Sequence, residues 1–236
     1  SELTGCNIYG KAEFFNPGES VKDRAALFIV EDAIKRKLIS KGGTIVEGTA
    51  GNTGIGLAIV CKEYDLNLKI VIPNTQSIEK KETLKKLGAE LIEVDAVPYS
   101  NPKNYIKQSK QIADDLNKTS KNGVYWANQF DNVINTEAHI KTTAEEIWSQ
   151  TAGSIDGFTC AVGTGGTLAG VSIGLKDKNK NIKIALSDPM GSSLFSYIKN
   201  KKLESSGSSI TEGIGTARIT KNFDKALIDD AFQTND

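Results

Sequence analysis

Lys22 is the first residue in the chain whose type and setting suggest chemistry. It lies in NPGESVKDR, residues 16–24, just ahead of the apolar run AALFIV. The PG turn signal and the good N-cap Ser20 predict that Lys22 falls in the first turn of a helix. That end of a helix dipole disfavours a cation, and a lysine amine with a lowered pKa is a better nucleophile toward aldehydes. The alternative is a solvated lysine paired with Asp23 or Glu19, which is the commoner situation for a lysine considered alone.

A second segment, FTCAVGTGGTLAGVSIGLK at 158–176, joins an apolar strand to a helical pattern through a glycine-rich loop. Successive backbone N–H groups of such a loop converge on a phosphate, and threonine hydroxyls lie beside them. It is neither a Walker loop, which needs GK[ST], nor a dinucleotide fingerprint, because Leu168 replaces the third glycine. A phosphate site is predicted, with a plain tight turn as the alternative. The loop residues are Gly163, Thr164, Gly165, Gly166 and Thr167.

The third segment, TIVEGTAGNTGIGLA at 44–58, also runs from a strand through small residues into a helix. Unpaired N–H groups in the first helical turn attract an anion, and Thr49 and Asn52 add polar side chains. This indicates a carboxylate site, and a capped strand-to-helix turn is the equally weighted alternative. Together, the three segments are suited to hold a phosphorylated aldehyde and condense it with an amino acid. Pyridoxal phosphate is such an aldehyde.

These loops need elements that bring them to one place. Short apolar or β-rich runs, from NIYGKAEFF to IKIALSDP, alternate with amphipathic helical patterns, which predicts an α/β fold with mostly parallel sheets. In such sheets, ligands bind at the carboxyl ends of the strands. His139 lies in the helical pattern NTEAHIKTTAEEIW and is interpreted as structural, because no ligand cluster surrounds it in the sequence.

Composition narrows the class of function. Lysine plus arginine and aspartate plus glutamate number 29 each among 236 residues, so no net charge favours nucleic acid or an anionic membrane. The scattered Cys6, Cys61 and Cys160 and the single histidine predict neither a disulfide framework nor a metal site. No membrane span is predicted. We expect a cytoplasmic protein, or a mitochondrial one if a transit peptide has been removed, and a chain truncated at both ends.

Five motifs in order resemble the cysteine synthase (O-acetylserine sulfhydrylase) family of the tryptophan synthase β-like group. They are NPGESVKDR, VEGTAGNTGIGLA, NQFDN followed by HIKTTAEEIW, GTGGTLAG and TEGIG. The resemblance implies pyridoxal-phosphate fold type II, with two lobes of three-layer αβα type. The smaller lobe is expected at 15–131, with the lysine and the substrate loop, and the larger, incomplete lobe at 1–14 and 132–236.

The resemblance also implies roles for residues. Lys22 matches the lysine that forms a Schiff base with the cofactor and takes the substrate α-proton, and Asn52 matches the residue bonded to the cofactor 3′-oxygen. Residues 163–167 match the phosphate loop. Two departures are Ala50, commonly serine, and Glu19, where glycine, phenylalanine or histidine is usual. The positions matched to substrate binding are Thr49, Ala50, Gly51, Asn52, Thr53, Gln129 and Gly213.

The activity implied is β-replacement, in which O-acetyl-L-serine and sulfide give L-cysteine through an α-aminoacrylate intermediate. A homodimer and a contact with serine acetyltransferase are further expectations from the family. The alternatives are a cystathionine β-synthase, which joins serine to homocysteine, and a non-catalytic family member that acts as a binding protein.

Overall fold

The computed structural model describes residues 2–236, in which strands and helices alternate along the chain. The strands are β1 (Thr44–Gly48), β2 (Asn67–Pro73), β3 (Glu90–Val94), β4 (Val124–Trp126), β5 (Gly157–Cys160), β6 (Lys183–Pro189) and β7 (Asp230–Thr234). The α-helices are α1 (Lys22–Lys35), α2 (Asn52–Glu63), α3 (Ile78–Lys86), α4 (Tyr105–Asn117), α5 (Ile134–Ala138), α6 (Glu145–Gln150), α7 (Gly166–Lys178) and α8 (Leu194–Asn200). A π-helix (His139–Ala144) joins α5 to α6, and 3₁₀ turns occur at Glu13–Phe15 and Phe223–Lys225.

The first sheet has the strand order β3-β2-β1-β4, and every pairing is parallel. On one face, Ile45 and Ile70 pack with apolar residues of α1 and α2, including Ile29 and Leu57. On the other face, Val46 and its neighbours pack against α4. Helices thus cover both faces, as parallel strands require, and they form three layers.

The second sheet has the order β5-β6-β7 and is also parallel. Its core contains Leu168 and Leu175 of α7 together with Ile184 and Leu186 of β6. Two parallel sheets, each with its own core, confirm the predicted α/β class. The lobe boundaries at 14/15 and 131/132 stay a prediction.

The helical pattern at 134–150 forms a continuous helical rod, but a π-helix occupies its middle. A π segment in a helix frequently marks a functional site. Gly170 of α7 faces it so closely that a Cβ there would lie 2.4 Å from His139 Cβ. Because residue 170 is glycine, the π-helix and α7 pack closely, and His139 lies near the start of α7.

The expectation of β-structure in NIYGKAEFF was wrong. Only Glu13–Phe15 is regular there, and it is a 3₁₀ turn. Ile8, Tyr9, Phe14 and Phe15 are exposed. A strand needs a neighbouring strand or a packed face, and β-propensity alone does not supply either.

No helix among residues 2–236 has both the length and the apolar character needed to cross a membrane. No group of three or more His, Cys, Asp or Glu side chains in the same range is placed to hold a metal ion.

Candidate functional site

Lys22 is the first residue of α1 and so lies in the first turn, as predicted, but the N-cap is Val21 and not Ser20. Its backbone N–H donates to Ser20 Oγ at 3.3 Å. The Lys22 amine has no hydrogen bond or ion pair with any described residue, and Asp23 instead accepts the Gly18 N–H at 2.5 Å. Burial lowers the pKa of the Lys22 amine, against a smaller opposite effect of Cys160. The pairing with Asp23 or Glu19 that defined the surface-lysine alternative is therefore absent among residues 2–236.

Glu19 occupies a left-handed turn just before α1. Its φ is 59°, a conformation that favours glycine, and its N–H donates to the Asn16 carbonyl at 2.8 Å. The side chain is exposed. Glu19 thus marks the tight turn that directs the chain into α1, and its carboxylate faces solvent.

The loop between β5 and α7 has the form predicted for a phosphate site. Gly165 has φ 89°, and a Cβ there would lie 2.6 Å from Phe223 Cα, so only glycine fits. The N–H groups of Thr164 and Gly165 have no hydrogen-bond partner within the described range. Thr164 Oγ1 accepts from Gly166 N at 3.3 Å. Two adjacent unpaired N–H groups at a helix N-terminus can bind an anion.

His139 contacts the last residue of this loop, Thr167. Its Nε2 lies 3.2 Å from Thr167 Oγ1, and its Nδ1 lies 2.8 Å from Thr143 Oγ1. Burial lowers the His139 pKa to about 3, and the positive charges of Arg24 and Lys22 act in the same direction. The imidazole is therefore neutral at physiological pH, and it orients the hydroxyl of a residue predicted to hold phosphate. The structural role predicted for His139 is therefore to position Thr167 and Thr143, two contacts that the sequence did not indicate.

The loop between β1 and α2 brings Thr53 against Gln129. Thr53 Oγ1 donates to Gln129 Oε1 at 2.5 Å, and both residues are buried. Thr49 Oγ1 accepts the Gly51 N–H at 3.3 Å, so this hydroxyl shapes the loop itself. Asn52 begins α2 and is exposed, and Ala50 is half-buried. The segment therefore contains both loop-shaping groups and accessible ones.

Gly213 lies against the start of the phosphate loop. A Cβ on Gly163 would fall 2.4 Å from the Gly213 carbonyl oxygen. Two residues further on, the Gly215 N–H donates to the Val162 carbonyl at 2.7 Å. The segment that the resemblance assigns to substrate binding is thus held at the carboxyl end of the second sheet.

Asn135 connects the segment around Gln129 to the phosphate loop, and no sequence signal identified it. The buried Asn135 Nδ2 donates to the Gln129 carbonyl at 2.9 Å and lies 3.0 Å from Thr164 Oγ1. Asn222, also missed, donates to the carbonyls of Gln129 and Phe130 at 2.9 and 2.7 Å. The NQFDN motif was the nearest sequence signal, because a lone asparagine within the first turn of a helix, such as Asn135, or just before a helical turn, such as Asn222, is ordinarily explained by local capping.

These groups fit a phosphorylated aldehyde. Lys22 supplies an unpaired amine with a lowered pKa, and the 163–167 loop supplies free N–H groups and hydroxyls. The Lys22 charge lowers the pKa of both Cys160, at the end of β5, and His139, which contacts Thr167, so the amine interacts with groups on either side of the phosphate loop. The Thr53–Gln129 pair adjoins the same cluster through Asn135. The individual roles of these residues stay predictions.

Comparison with known proteins gives concordant results. The family model described as pyridoxal-phosphate dependent enzyme matches residues 1–234. Cysteine synthase 1 of Neurospora crassa and that of Emericella nidulans are each 54% identical to the chain over its whole length. The chain spans 63% and 64% of the length of these two relatives.

A solved structure, the O-acetylserine dependent cystathionine β-synthase from Helicobacter pylori, is similar with a TM-score of 0.82 and 32% identity. The similarity covers 97% of this chain and 70% of that one. Sequence, fold and the geometry at the strand ends therefore agree, and the chain belongs to the pyridoxal-phosphate dependent enzyme family.

Proposed function

We propose that the protein is a cysteine synthase, which converts O-acetyl-L-serine and sulfide to L-cysteine and acetate. The observation that carries this proposal is the unpaired Lys22 amine, with its lowered pKa, beside a phosphate loop that is joined to a carboxylate-type loop. The 54% identity to two proteins named cysteine synthase supports the choice of product.

In this proposal, separate groups of residues bind the cofactor phosphate and the substrate carboxylate. The N–H groups and hydroxyls of 163–167 hold the cofactor phosphate, with Thr167 oriented by His139. Thr53, Gln129 and the first turn of α2 hold the substrate α-carboxylate. When bound, pyridoxal phosphate is an electron sink that stabilises negative charge at the substrate α-carbon.

Lys22 moves the proton in this scheme. Burial lowers the pKa of its amine and so favours the unprotonated form, in which Nζ can accept the substrate α-proton. Acetate leaves from the β-carbon, sulfide forms the new bond there, and Lys22 returns the proton to the α-carbon. Buried side chains around Gln129 and Thr164 keep water from the polar groups that bind the substrate.

A second candidate is cystathionine formation from homocysteine. It is favoured by the similarity to the Helicobacter pylori enzyme, an O-acetylserine dependent cystathionine β-synthase. The third possibility is a binding protein that keeps the fold without turnover. These candidates differ in product, so one experiment separates them.

The test supplies the intact, cofactor-loaded protein with O-acetylserine and sulfide, and separately with serine or O-acetylserine and homocysteine. Products are identified by mass spectrometry. We expect cysteine from the first mixture and its loss in Lys22→Ala, together with the visible absorbance of lysine-bound cofactor. Lys35→Ala, an exposed lysine on the same helix, is the matched control and should change neither. Cystathionine without cysteine would favour the second candidate, and no product from either mixture would leave the binding protein.

Three finer expectations are also proposals. We propose that the protein forms a homodimer, that it contacts serine acetyltransferase, and that it works in the cytoplasm or, with a removed transit peptide, in mitochondria. Family resemblance supports the first two. Light scattering of the purified protein, co-purification with the acetyltransferase and cell fractionation test them in turn.

A further inference from the structure

Glu47 is a buried carboxyl that the proposed reaction does not use directly. It lies in β1, one residue before the strand ends, and is 1% exposed. Burial raises its pKa to about 8, and its Oε2 has no hydrogen-bond partner among residues 2–236. Burying a carboxyl costs free energy unless neighbouring groups form hydrogen bonds or ion pairs with it. Its neighbours therefore indicate what it does.

The turn at Asn128 and Gln129 lies next to Glu47. β4 pairs with β1 at Val46 and Trp126, and the Ala127 N–H donates to the Val46 carbonyl at 3.0 Å, so the two residues after Ala127 follow beside the carboxyl end of β1. The backbone N–H groups of Asn128 and Gln129 and the Gln129 side-chain amide each lower the Glu47 pKa, against the larger effect of burial. Asn128 has φ 50°, a left-handed conformation that is uncommon for a residue with a side chain. This turn directs consecutive N–H groups toward one acceptor, as in an anion-binding nest. Here the acceptor is Glu47.

The Gln129 side chain interacts with groups on two sides. Thr53 Oγ1 donates to Gln129 Oε1 at 2.5 Å, and the Gln129 amide lowers the Glu47 pKa, as an N–H donor near a carboxylate does. An amide side chain can bind in either of two flipped orientations, which exchange donor and acceptor. Thr53 and Glu47 together favour the orientation that turns the amide oxygen toward Thr53 and the amide nitrogen, which carries two hydrogens, toward Glu47.

The charge state of Glu47 suits such a ligand. With a pKa of about 8, the carboxyl is mostly neutral at pH 7 and does not repel a carboxylate bound nearby. Among the described residues, the titratable group that interacts with it is Tyr105, whose pKa is raised by burial and by Glu47 and lowered by Arg218. No lysine or arginine acts on Glu47 directly.

We propose that Glu47 is a positioning residue for the α-carboxylate of the amino-acid substrate, and that it acts through the Gln129 side chain. This inference rests on the proposed function for the role of Gln129. It predicts that Glu47 affects amino-acid binding, and that it does so only while Gln129 is present.

The test titrates the cofactor-loaded protein with L-serine, without sulfide or any thiol, and follows the visible spectrum of the cofactor. Glu47→Ala should weaken serine binding by about tenfold, the effect of losing about one hydrogen bond. Gln129→Ala should weaken it by a similar factor. In the Gln129→Ala background, Glu47→Ala should have less than about a twofold effect, because groups that act through one another are not additive.

Two controls separate positioning from general damage. Ile45→Val removes a methyl group from the buried core of the same strand without altering Gln129, and it should leave serine binding unchanged. Glu47→Gln keeps the shape and a neutral acceptor, so it should restore binding to within about threefold of the wild type at pH 7. Between pH 7 and 9, wild-type affinity should fall relative to Glu47→Gln as Glu47 ionises. This comparison decides the matter if Glu47→Ala does not fold.

The inference is overturned if Glu47→Ala binds serine like the wild type, if its effect adds fully to that of Gln129→Ala, or if the wild type does not bind serine. It is also overturned if the wild type and Glu47→Gln show the same pH dependence. If serine binding behaves as expected but no cysteine forms from O-acetylserine and sulfide, the proposed function fails and the role of Glu47 stands.

Discussion

Replacing Arg24 with glutamine should destabilise the protein by disconnecting α1 from the residues that precede it and from α6. Arg24 binds Glu13 through Nε and Nη2 at 2.8 and 2.9 Å. It binds Glu146 through Nη1 and Nη2, both at 2.7 Å. This guanidinium lies two residues after Lys22, so it also holds the helix that presents the amine.

The magnitude follows from the exposure of the three side chains. Arg24 and Glu13 are 13% and 17% exposed, whereas Glu146 is 40% exposed and retains Lys11. Removing one partner of a buried ion pair costs about 3–5 kcal/mol. The pair with Glu146 contributes less than the pair with Glu13, because Glu146 is more exposed to solvent. We therefore expect a loss of about 3 kcal/mol in the free energy of unfolding.

Urea unfolding measures this loss. With an m-value of about 3 kcal/mol/M for a chain of this length, the midpoint of Arg24→Gln should fall by about 1 M. Arg36→Gln is the matched control, because Arg36 is 57% exposed and pairs only with Asp32, one turn earlier on α1. Its midpoint should move by less than about 0.2 M. A similarly small shift in Arg24→Gln would refute the reasoning.

The pH dependence gives a second check on the same ion pairs. The hydrogen bond from Arg24, aided by Lys11, lowers the Glu146 pKa from 4.5 to about 2. A pKa lowered in the folded state gives stability that is present above the ordinary value and is lost as the pH falls toward the folded one. The gap between wild type and Arg24→Gln should therefore be constant near neutrality and narrow below pH 4.5.

Three further predictions concern the phosphate side of the site. Gly165→Ala should weaken pyridoxal phosphate binding by at least about tenfold in a cofactor titration, because its φ is 89° and Phe223 Cα leaves no room for a Cβ. Asn135→Ala should lower the free energy of unfolding by about 2 kcal/mol, for two lost buried hydrogen bonds, and urea midpoints measure it. The His139 pKa is lowered from 6.5 to about 3, so the unfolded chain takes up a proton first as the pH falls. The free energy of unfolding of the wild type should therefore fall below pH 6.5 by up to about 1.4 kcal/mol per pH unit. His139→Gln lacks this contribution, so urea unfolding at pH 7 and pH 5 should show a smaller loss for the variant than for the wild type.

The parts of the site that sequence predicts are those with local signals. The 163–167 loop and the 49–53 loop each join a strand to a helix, and their glycines and threonines lie within a few residues of one another. Lys22 was located by the turn and cap signals beside it. The π-helix was not predicted, and the glycine that packs closely against it, Gly170, lies on another helix, where no local pattern at 134–150 reveals it.

The groups that join the loops were missed because their partners are remote in the chain. Asn222 contacts Gln129 across 93 positions, and Asn135 contacts Thr164 across 29. Glu47 has the pattern of an ordinary strand residue, and only the left-handed turn at Asn128 shows that its carboxyl has N–H groups to bind. Conversely, NIYGKAEFF has strand composition, but no strand among residues 2–236 pairs with it, and no local pattern can reveal that.

Asn135 has a thermodynamic consequence for occupancy of the site. One amide nitrogen bonds both the backbone of Gln129 and the hydroxyl of Thr164, so ordering of either loop restrains the other. A ligand that immobilises the 163–167 loop therefore leaves less conformational entropy to be lost when a second ligand engages Gln129. By linkage, the two ligands favour each other equally, whichever binds first.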